Sequence, residues 1–365
     1  MSVQDLTAHS ICKHKPYIPG KQPVISGRTI KLNTNENPYP PTPKISELIV
    51  TQVNELHRYP NSSASDLREI IANLHNVHPD QIIVGNGSDD ILNLCVRCFS
   101  DSSKSIGMLD PSYSLYEVLG SLQGTKVIKY PFQNERFEID SEIIADSGSN
   151  LFFLTSPHAP TGRIYENLIF STILQKYPGI LVIDEAYADF APINALPLLT
   201  ESENVIITRT LSKSYSLAGL RVGYAVASKE IIAILNKARE VYNVDRIAQF
   251  IAQVALQDRS YFKKVTQKII STREFVYQTF LEWQWTTYSS GTNFLFTRPV
   301  DSKGNHGKQT AQALYRFLTD NNVFVRYFPS SELTSSFLRI SIGKDEEMDI
   351  VINLLSKWKL VEQQN

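Results

Sequence analysis

The run Thr210-Leu211-Ser212-Lys213-Ser214-Tyr215 sets one lysine among small hydroxyl residues, and Arg221 follows eight positions on. Upstream, Asp184-Glu185-Ala186-Tyr187 ends the apolar stretch Gly179-Ile180-Leu181-Val182-Ile183. An amine, a carboxylate at the end of a buried strand and a guanidinium beside hydroxyls are what pyridoxal phosphate needs: a partner for its aldehyde, an acid at its pyridine nitrogen, and cations or hydroxyls at its phosphate. Lys213 would be the Schiff-base amine and, once displaced, the group that moves the proton between substrate and cofactor carbons. Asp184 would hold the pyridine nitrogen protonated. Ser212 and Arg221 would hold the phosphate, the arginine as a bidentate donor. Taken singly, a lysine among serines reads as a solvated loop residue and a strand-end aspartate as a helix cap; taken together with the next stretch they read as a site.

That stretch is Gln81-Ile82-Ile83-Val84-Gly85-Asn86-Gly87-Ser88-Asp89-Asp90-Ile91-Leu92. It reads as a strand, a glycine-rich turn and a helix start, so that free backbone N–H groups at Ser88 and Asp89 would cradle a phosphate. It fails as a dinucleotide fingerprint, because no third glycine follows at the required spacing. His75-Asn76-Val77-His78 and Cys95-Val96-Arg97-Cys98 imitate a zinc site, yet Ile91, Leu92, Leu94, Cys95, Cys98 and Phe99 fall at helical spacing, which turns the cysteines toward a core. No metal is expected.

The elements that must position these groups follow a rhythm. From Ile45 to about Gln257, helices alternate with short apolar strands such as Ile82-Val84, Ser105-Leu109, Leu151-Thr155, Leu181-Asp184 and Val205-Thr208. That pattern predicts an α/β fold with a mostly parallel sheet flanked by helices, its site built by loops at the strand C-terminal ends. After Asp258 the pattern changes: a long helix from Tyr261 to about Trp285, then strand-like Asn293-Thr297, helical Gln309-Thr319, strand-like Val323-Phe328 and Phe337-Ile342, and a last helix near Glu346-Leu360. This predicts a smaller α+β domain. The expected division is an irregular N-terminal arm over residues 1–40 packing on the small domain, a large cofactor-binding domain over 41–258 and a small C-terminal domain over 259–365.

In order and spacing, the chain resembles the fold-type I aminotransferases of class II, and within them the histidinol-phosphate aminotransferase family. The matching pieces are Pro16-Tyr17-Ile18-Pro19-Gly20-Lys21, Leu32 to Pro38, Arg58-Tyr59-Pro60, Gly85 to Asp89, Asp110-Pro111-Ser112-Tyr113, Pro160-Thr161-Gly162, Asp184 to Tyr187, the Lys213 block and Phe337 to Gly343. The resemblance implies Lys213 as the Schiff-base lysine, Asp184 as the pyridine-nitrogen partner and Tyr187 as a donor to the ring's phenolic oxygen. It implies Tyr113 stacked on the ring, and Ser88, Asp89, Ser212 and Arg221 around the phosphate. Tyr59 would reach the phosphate in a neighbouring subunit, making a homodimer with a shared active site. Tyr17 would close over substrate, and Arg326 and Arg339 would bind its anionic groups. Arg339 also stands out by itself: alternation sets it opposite Leu338 and Ile340 on a strand covered on both faces, and a buried arginine requires an anion. One position departs from the family pattern. Ala159 stands before Pro160-Thr161-Gly162, where relatives carry an asparagine that donates to the phenolic oxygen; losing such a donor costs roughly 1.5–3 kcal/mol. Tyr187 is expected to carry that role alone, with His158 the other candidate.

Composition bounds the rest. The 365 residues are 42% hydrophobic, enough for a large core, and 36 Lys+Arg against 37 Asp+Glu leave a net charge of −1, with no basic run for nucleic acid or membrane. Three cysteines offer no disulfide framework, and no stretch approaches the roughly 20 apolar residues of a membrane span. A soluble cytoplasmic enzyme is expected, taking small-molecule substrates. The activity implied is ping-pong transamination between glutamate/2-oxoglutarate and imidazole acetol phosphate/histidinol phosphate, in histidine biosynthesis. The rivals are an aromatic amino-acid aminotransferase or a phosphothreonine decarboxylase on the same scaffold, and a catalytically silent binding module.

Overall fold

The computed structural model describes residues 2–361 except Lys13, Ile18, Pro19, Lys21, Ile25, Ser26 and Arg28, and of Leu360 and Val361 only the backbone. Part of the stretch Pro16 to Lys21 thus lies outside the described residues. The strands are β1 (Ile30–Leu32), β2 (Ile82–Gly85), β3 (Ile106–Asp110), β4 (Val127–Pro131), β5 (Leu151–Thr155), β6 (Ile180–Asp184), β7 (Val205–Thr210), β8 (Gly223–Ala227), β9 (Thr286–Thr287), β10 (Phe294–Arg298), β11 (Val323–Tyr327) and β12 (Leu338–Ser341). They form two sheets. Seven strands run β2-β8-β7-β6-β5-β3-β4, and five run β1-β11-β12-β10-β9.

In the larger sheet β4, β3, β5, β6 and β7 are mutually parallel, and β8 is antiparallel to both β7 and β2. The central strands are apolar on both faces because both faces are covered. Successive residues go to opposite cores: Phe152, Leu181, Ile183, Val205 and Ile207 pack with Phe170, Ile173 and Leu198, whereas Phe153, Val182 and Ile206 pack with Ile91, Leu92, Cys95 and Tyr116. Cys95 is fully buried there, as its helical spacing predicted.

Register decides what the sheet can present. Thr155 lies level with Asp184, and Asp184 with Thr208, while the start of antiparallel β8 brings Gly223 beside Thr210 and Gly85. One edge of the sheet therefore collects Gly85, Gly223, Thr210, Asp184, Thr155 and Asp110. Helix Ser88–Phe99 springs from that edge directly after β2.

The smaller sheet takes β1 from the N-terminal region, which sequence alone reads as irregular. Three residues suffice for a strand because β11 supplies a parallel partner, with Ile30 level with Val323 and Leu32 with Val325. The other neighbours are antiparallel. Helix Arg259–Glu282 begins at Asp258, whose carboxylate accepts from the Tyr261 N–H as the cap and from Thr42 Oγ1 at 2.6 Å. Helix Asp345–Val361 packs on the same core through Met348, Val351, Leu355 and Trp358.

Candidate active site

A cavity of about 310 Å³ opens at the edge just described. Its walls come from the ends of β5, β6 and β7, the loop into helix Ser88–Phe99, the segment Asn33–Glu36 after β1, and β11 and β12. Of the predicted site residues it gathers Tyr17, Ser88, Asp89, Tyr113, Asp184, Tyr187, Ser212, Lys213, Arg221, Arg326 and Arg339. Tyr59 is not among them. It is 76% exposed and stacks on Tyr242, ring centroids 4.5 Å apart.

Lys213 follows β7 in a turn tied down from outside. Asn37 Nδ2 donates to the Lys213 carbonyl at 2.9 Å, and Lys213 Nζ donates to the Thr34 carbonyl at 3.2 Å. Burial, with Arg339 as the nearby positive charge, lowers the lysine pKa to about 8. The amine is therefore far easier to deprotonate than a surface lysine.

Asp184 ends β6 with both oxygens engaged. Tyr116 Oη donates to Oδ2 at 2.8 Å, Thr208 Oγ1 to Oδ1 at 3.2 Å and the Ala186 N–H to Oδ1 at 3.3 Å. Burial raises its pKa to about 6, opposed by the Tyr116 hydrogen bond. A cationic partner in the cavity is what such a carboxylate lacks. Tyr116 in turn shares a hydrogen bond with Thr155 Oγ1 at 2.9 Å. The sequence alone assigns no site role to Tyr116 or Thr208. Neither carries a local signal: Thr208 meets Asp184 through the β6/β7 register, and Tyr116 reaches it from helix Leu115–Gln123, which packs on the sheet beside Phe153.

At the opposite end, Arg221 Nη1 donates to Ser212 Oγ at 3.3 Å and Nη2 to Asp89 Oδ2 at 2.9 Å. Two glycines make the convergence possible. Gly87 has φ +82° and a Cβ there would lie 2.5 Å from Arg221 Nη2, while a Cβ on Gly223 would lie 2.2 Å from the Ser88 nitrogen. The Asp89 carboxylate also accepts from Tyr113 Oη at 3.2 Å, so this residue offers a phosphate only its backbone N–H. The first-turn N–H groups of a twelve-residue helix, a guanidinium and a serine hydroxyl around one recess fit a phosphate.

Arg326 and Arg339 face each other across the β11/β12 register. Arg339 lies between the rings of Phe294 and Phe328, at 5.0 and 5.3 Å, and Arg326 lies 5.6 Å from Phe328. Neither has a salt-bridge partner among the described residues. Arg339 Nη2 donates to the Asn33 carbonyl at 3.3 Å, while its Nε is buried with no hydrogen-bond partner among the described residues. Burial lowers the arginine pKa, which marks the cost of leaving this cation without an anion.

Ala159 lines the same cavity. His158 does not take its place: Nε2 donates to the Pro111 carbonyl at 3.0 Å and Nδ1 accepts from Thr161 Oγ1 at 2.8 Å, and burial lowers its pKa to about 3. Both nitrogens are spent away from the cavity. Tyr187 is buried, and its hydroxyl accepts from Asn35 Nδ2 at 2.8 Å, a partner not foreseen from the sequence. The decoy histidines are also committed, His75 Nε2 to Tyr224 Oη at 2.7 Å and His78 Nδ1 to the Asp80 N–H.

Residues 28–355 match the family model for aminotransferase class I and II. The chain is 40% identical over 341 residues to histidinol-phosphate aminotransferase of Microcystis aeruginosa, covering 93% of this chain and 95% of that protein. It is 41% identical over 347 residues to the enzyme of the same name from Geotalea uraniireducens, covering 95% and 97%. Among solved structures, histidinol-phosphate aminotransferase from Sinorhizobium meliloti in complex with pyridoxal-5'-phosphate superposes with a TM-score of 0.81 at 26% identity, over 90% of this chain and 91% of that one.

Proposed function

Because the chain belongs to the aminotransferase class I and II family, we propose that it transfers an amino group from glutamate to imidazole acetol phosphate, giving 2-oxoglutarate and histidinol phosphate, in the pathway to histidine. The protein is a pyridoxal-phosphate-dependent enzyme. When bound, the cofactor supplies an aldehyde for amine exchange and a ring that draws electrons from the substrate carbon.

The chain's own residues divide the remaining work. Lys213, with its lowered pKa, is the base that takes and returns the substrate proton. Asp184, oriented by Tyr116 and Thr208, keeps the pyridine nitrogen protonated. Ser88, Asp89 through its N–H, Ser212 and Arg221 hold the phosphate, Tyr113 covers the ring, and Tyr187 donates to the phenolic oxygen.

The observation that carries the substrate reading is a second anion site in the same cavity. Among the described residues Arg326 and Arg339 have no carboxylate partner, and they lie on the far sheet from the phosphate recess. They suit a carboxylate in one half-reaction and a substrate phosphate in the other. Tyr17, ring centroid 6.2 Å from that of Tyr113, lines the cavity and would close over substrate. In this reading residues 41–258 form the cofactor domain, 259–365 the small domain and 1–40 the arm, with water excluded as the two domains close on substrate.

A homodimer completes the site. The exposed Tyr59, with Val50, Val53, Leu56, Val241 and Tyr242 also exposed, supports a face covered by a second copy, and Tyr59 would reach the partner's cofactor phosphate. The cytoplasm is the proposed compartment. No described helix is long and apolar enough to cross a membrane, and no disulfide joins Cys12, Cys95 and Cys98.

The test is a substrate panel. Imidazole acetol phosphate should exceed phenylpyruvate and 4-hydroxyphenylpyruvate by at least about tenfold in kcat/KM, near 1.4 kcal/mol. A preference for the aromatic keto acids would overturn the substrate and leave the cofactor chemistry standing.

A further inference from the structure

Ala159 has no side-chain donor to offer the cavity, and Tyr187 beside it has one, so the direction of the Tyr187 hydroxyl matters. That direction is settled by Asn35. The residue sits in the turn after β1 with φ +55°, a left-handed conformation asparagine adopts more readily than most, and it is 2% exposed. Its backbone N–H donates to Ser341 Oγ at 3.0 Å. The Ser341 hydroxyl hydrogen is then left for Asn35 Oδ1, 2.9 Å away. With the amide oxygen so engaged, it is the amide nitrogen that faces Tyr187 Oη at 2.8 Å. Asn293 Nδ2 pins the Asn35 carbonyl at 3.0 Å. Since Tyr187 Oη accepts from Asn35, its own hydrogen must point elsewhere, and Tyr187 lines the cavity.

We propose that Asn35 is a positioning residue which, with Ser341, holds the Tyr187 hydroxyl as a hydrogen-bond donor into the cavity, at the site where Ala159 supplies none. The inference rests on the reading of Tyr187 as the donor to the cofactor's phenolic oxygen. The other groups acting on Tyr187 are Arg339, Asp184 and Asp89, with Lys213 Nζ 5.9 Å from its ring centroid. These set the charge around the phenol. Asn35 sets which way its proton lies.

The readout is the protonation midpoint of the bound cofactor's absorbance band, followed by pH titration of the holoenzyme, with thermal unfolding run alongside to show that each variant is folded. Asn35→Gly keeps the left-handed backbone and deletes the amide; Ser341→Ala keeps Asn35 and frees its amide to turn over. A donor to the phenolic oxygen stabilises the deprotonated form, so weakening it raises the midpoint. Asn35→Gly should raise it by roughly one pH unit, the scale of one hydrogen bond, and Ser341→Ala should move it the same way. Tyr187→Phe must raise it at least as much. If Tyr187→Phe raises the midpoint while both other variants leave it unchanged, the positioning role is wrong. If Tyr187→Phe itself leaves it unchanged, the reading of Tyr187 falls, and the inference with it.

Discussion

In the proposed function Lys213 is the residue on which the chemistry turns, and its setting makes a pH prediction. A lysine whose pKa is lowered to about 8 loses its proton in the folded protein around pH 8, well below the ordinary 10.5. Only the neutral amine is a nucleophile. The rate at which cofactor-free protein takes up pyridoxal phosphate should therefore rise with pH to a midpoint near 8 and level off, rather than climb toward 10.5. Lys213→Ala should lower transamination by roughly 10²–10⁴-fold or more, the range of a positioned acid/base group. A climb that continues past pH 10, followed by absorbance, would show that burial does not act on this amine. Lys213, Asp184 and Arg221 were legible in sequence because each sits in a stretch with its own signal: a hydroxyl-rich turn, or an apolar run ending in an acid. Tyr116, Thr208 and Asn35 were not, because what they do depends on partners 68, 24 and 152 positions away.

At the scale of elements, the phosphate recess depends on how closely the start of β8 approaches the first turn of helix Ser88–Phe99. Gly223→Ala would place a methyl 2.2 Å from the Ser88 nitrogen, against backbone atoms with no flexible side chain to yield. It should destabilise the protein by roughly 1–3 kcal/mol and weaken cofactor binding, measured by denaturant unfolding and by absorbance titration. Gly219→Ala meets nothing within 4 Å and should leave both nearly unchanged. Equal effects from the two would refute the close-approach argument. The helix and the strand before it were readable from Ile82 to Leu92, and five strands of the larger sheet were anticipated from their apolar runs. Not anticipated was β1. A three-residue strand, Ile30-Lys31-Leu32, has too little pattern to separate it from a loop, and it exists because β11 offers an edge.

For the whole molecule, the exposed face around Tyr59 and Tyr242 is the feature that one chain leaves unexplained. Sedimentation should give twice the mass of a single chain, and Leu56→Asp should shift it toward the monomer. Tyr59→Phe should keep the dimer yet weaken cofactor binding about tenfold, the loss of one hydrogen bond to a charged group. A fully active monomer would remove Tyr59 from the site. The two-sheet architecture followed from the change of rhythm after Asp258, whereas the union of Asn33–Glu36 with Lys213 in one cavity could be seen only in three dimensions. The most direct test of the account is the absorbance spectrum of the purified protein with pyridoxal phosphate, before and after histidinol phosphate is added. The account predicts a band of lysine-bound cofactor that converts to the amine form on addition, and loss of that band in Lys213→Ala. A band that responds to glutamate or an aromatic amino acid but not to histidinol phosphate would contradict the assigned substrate, and no band at all would contradict the site.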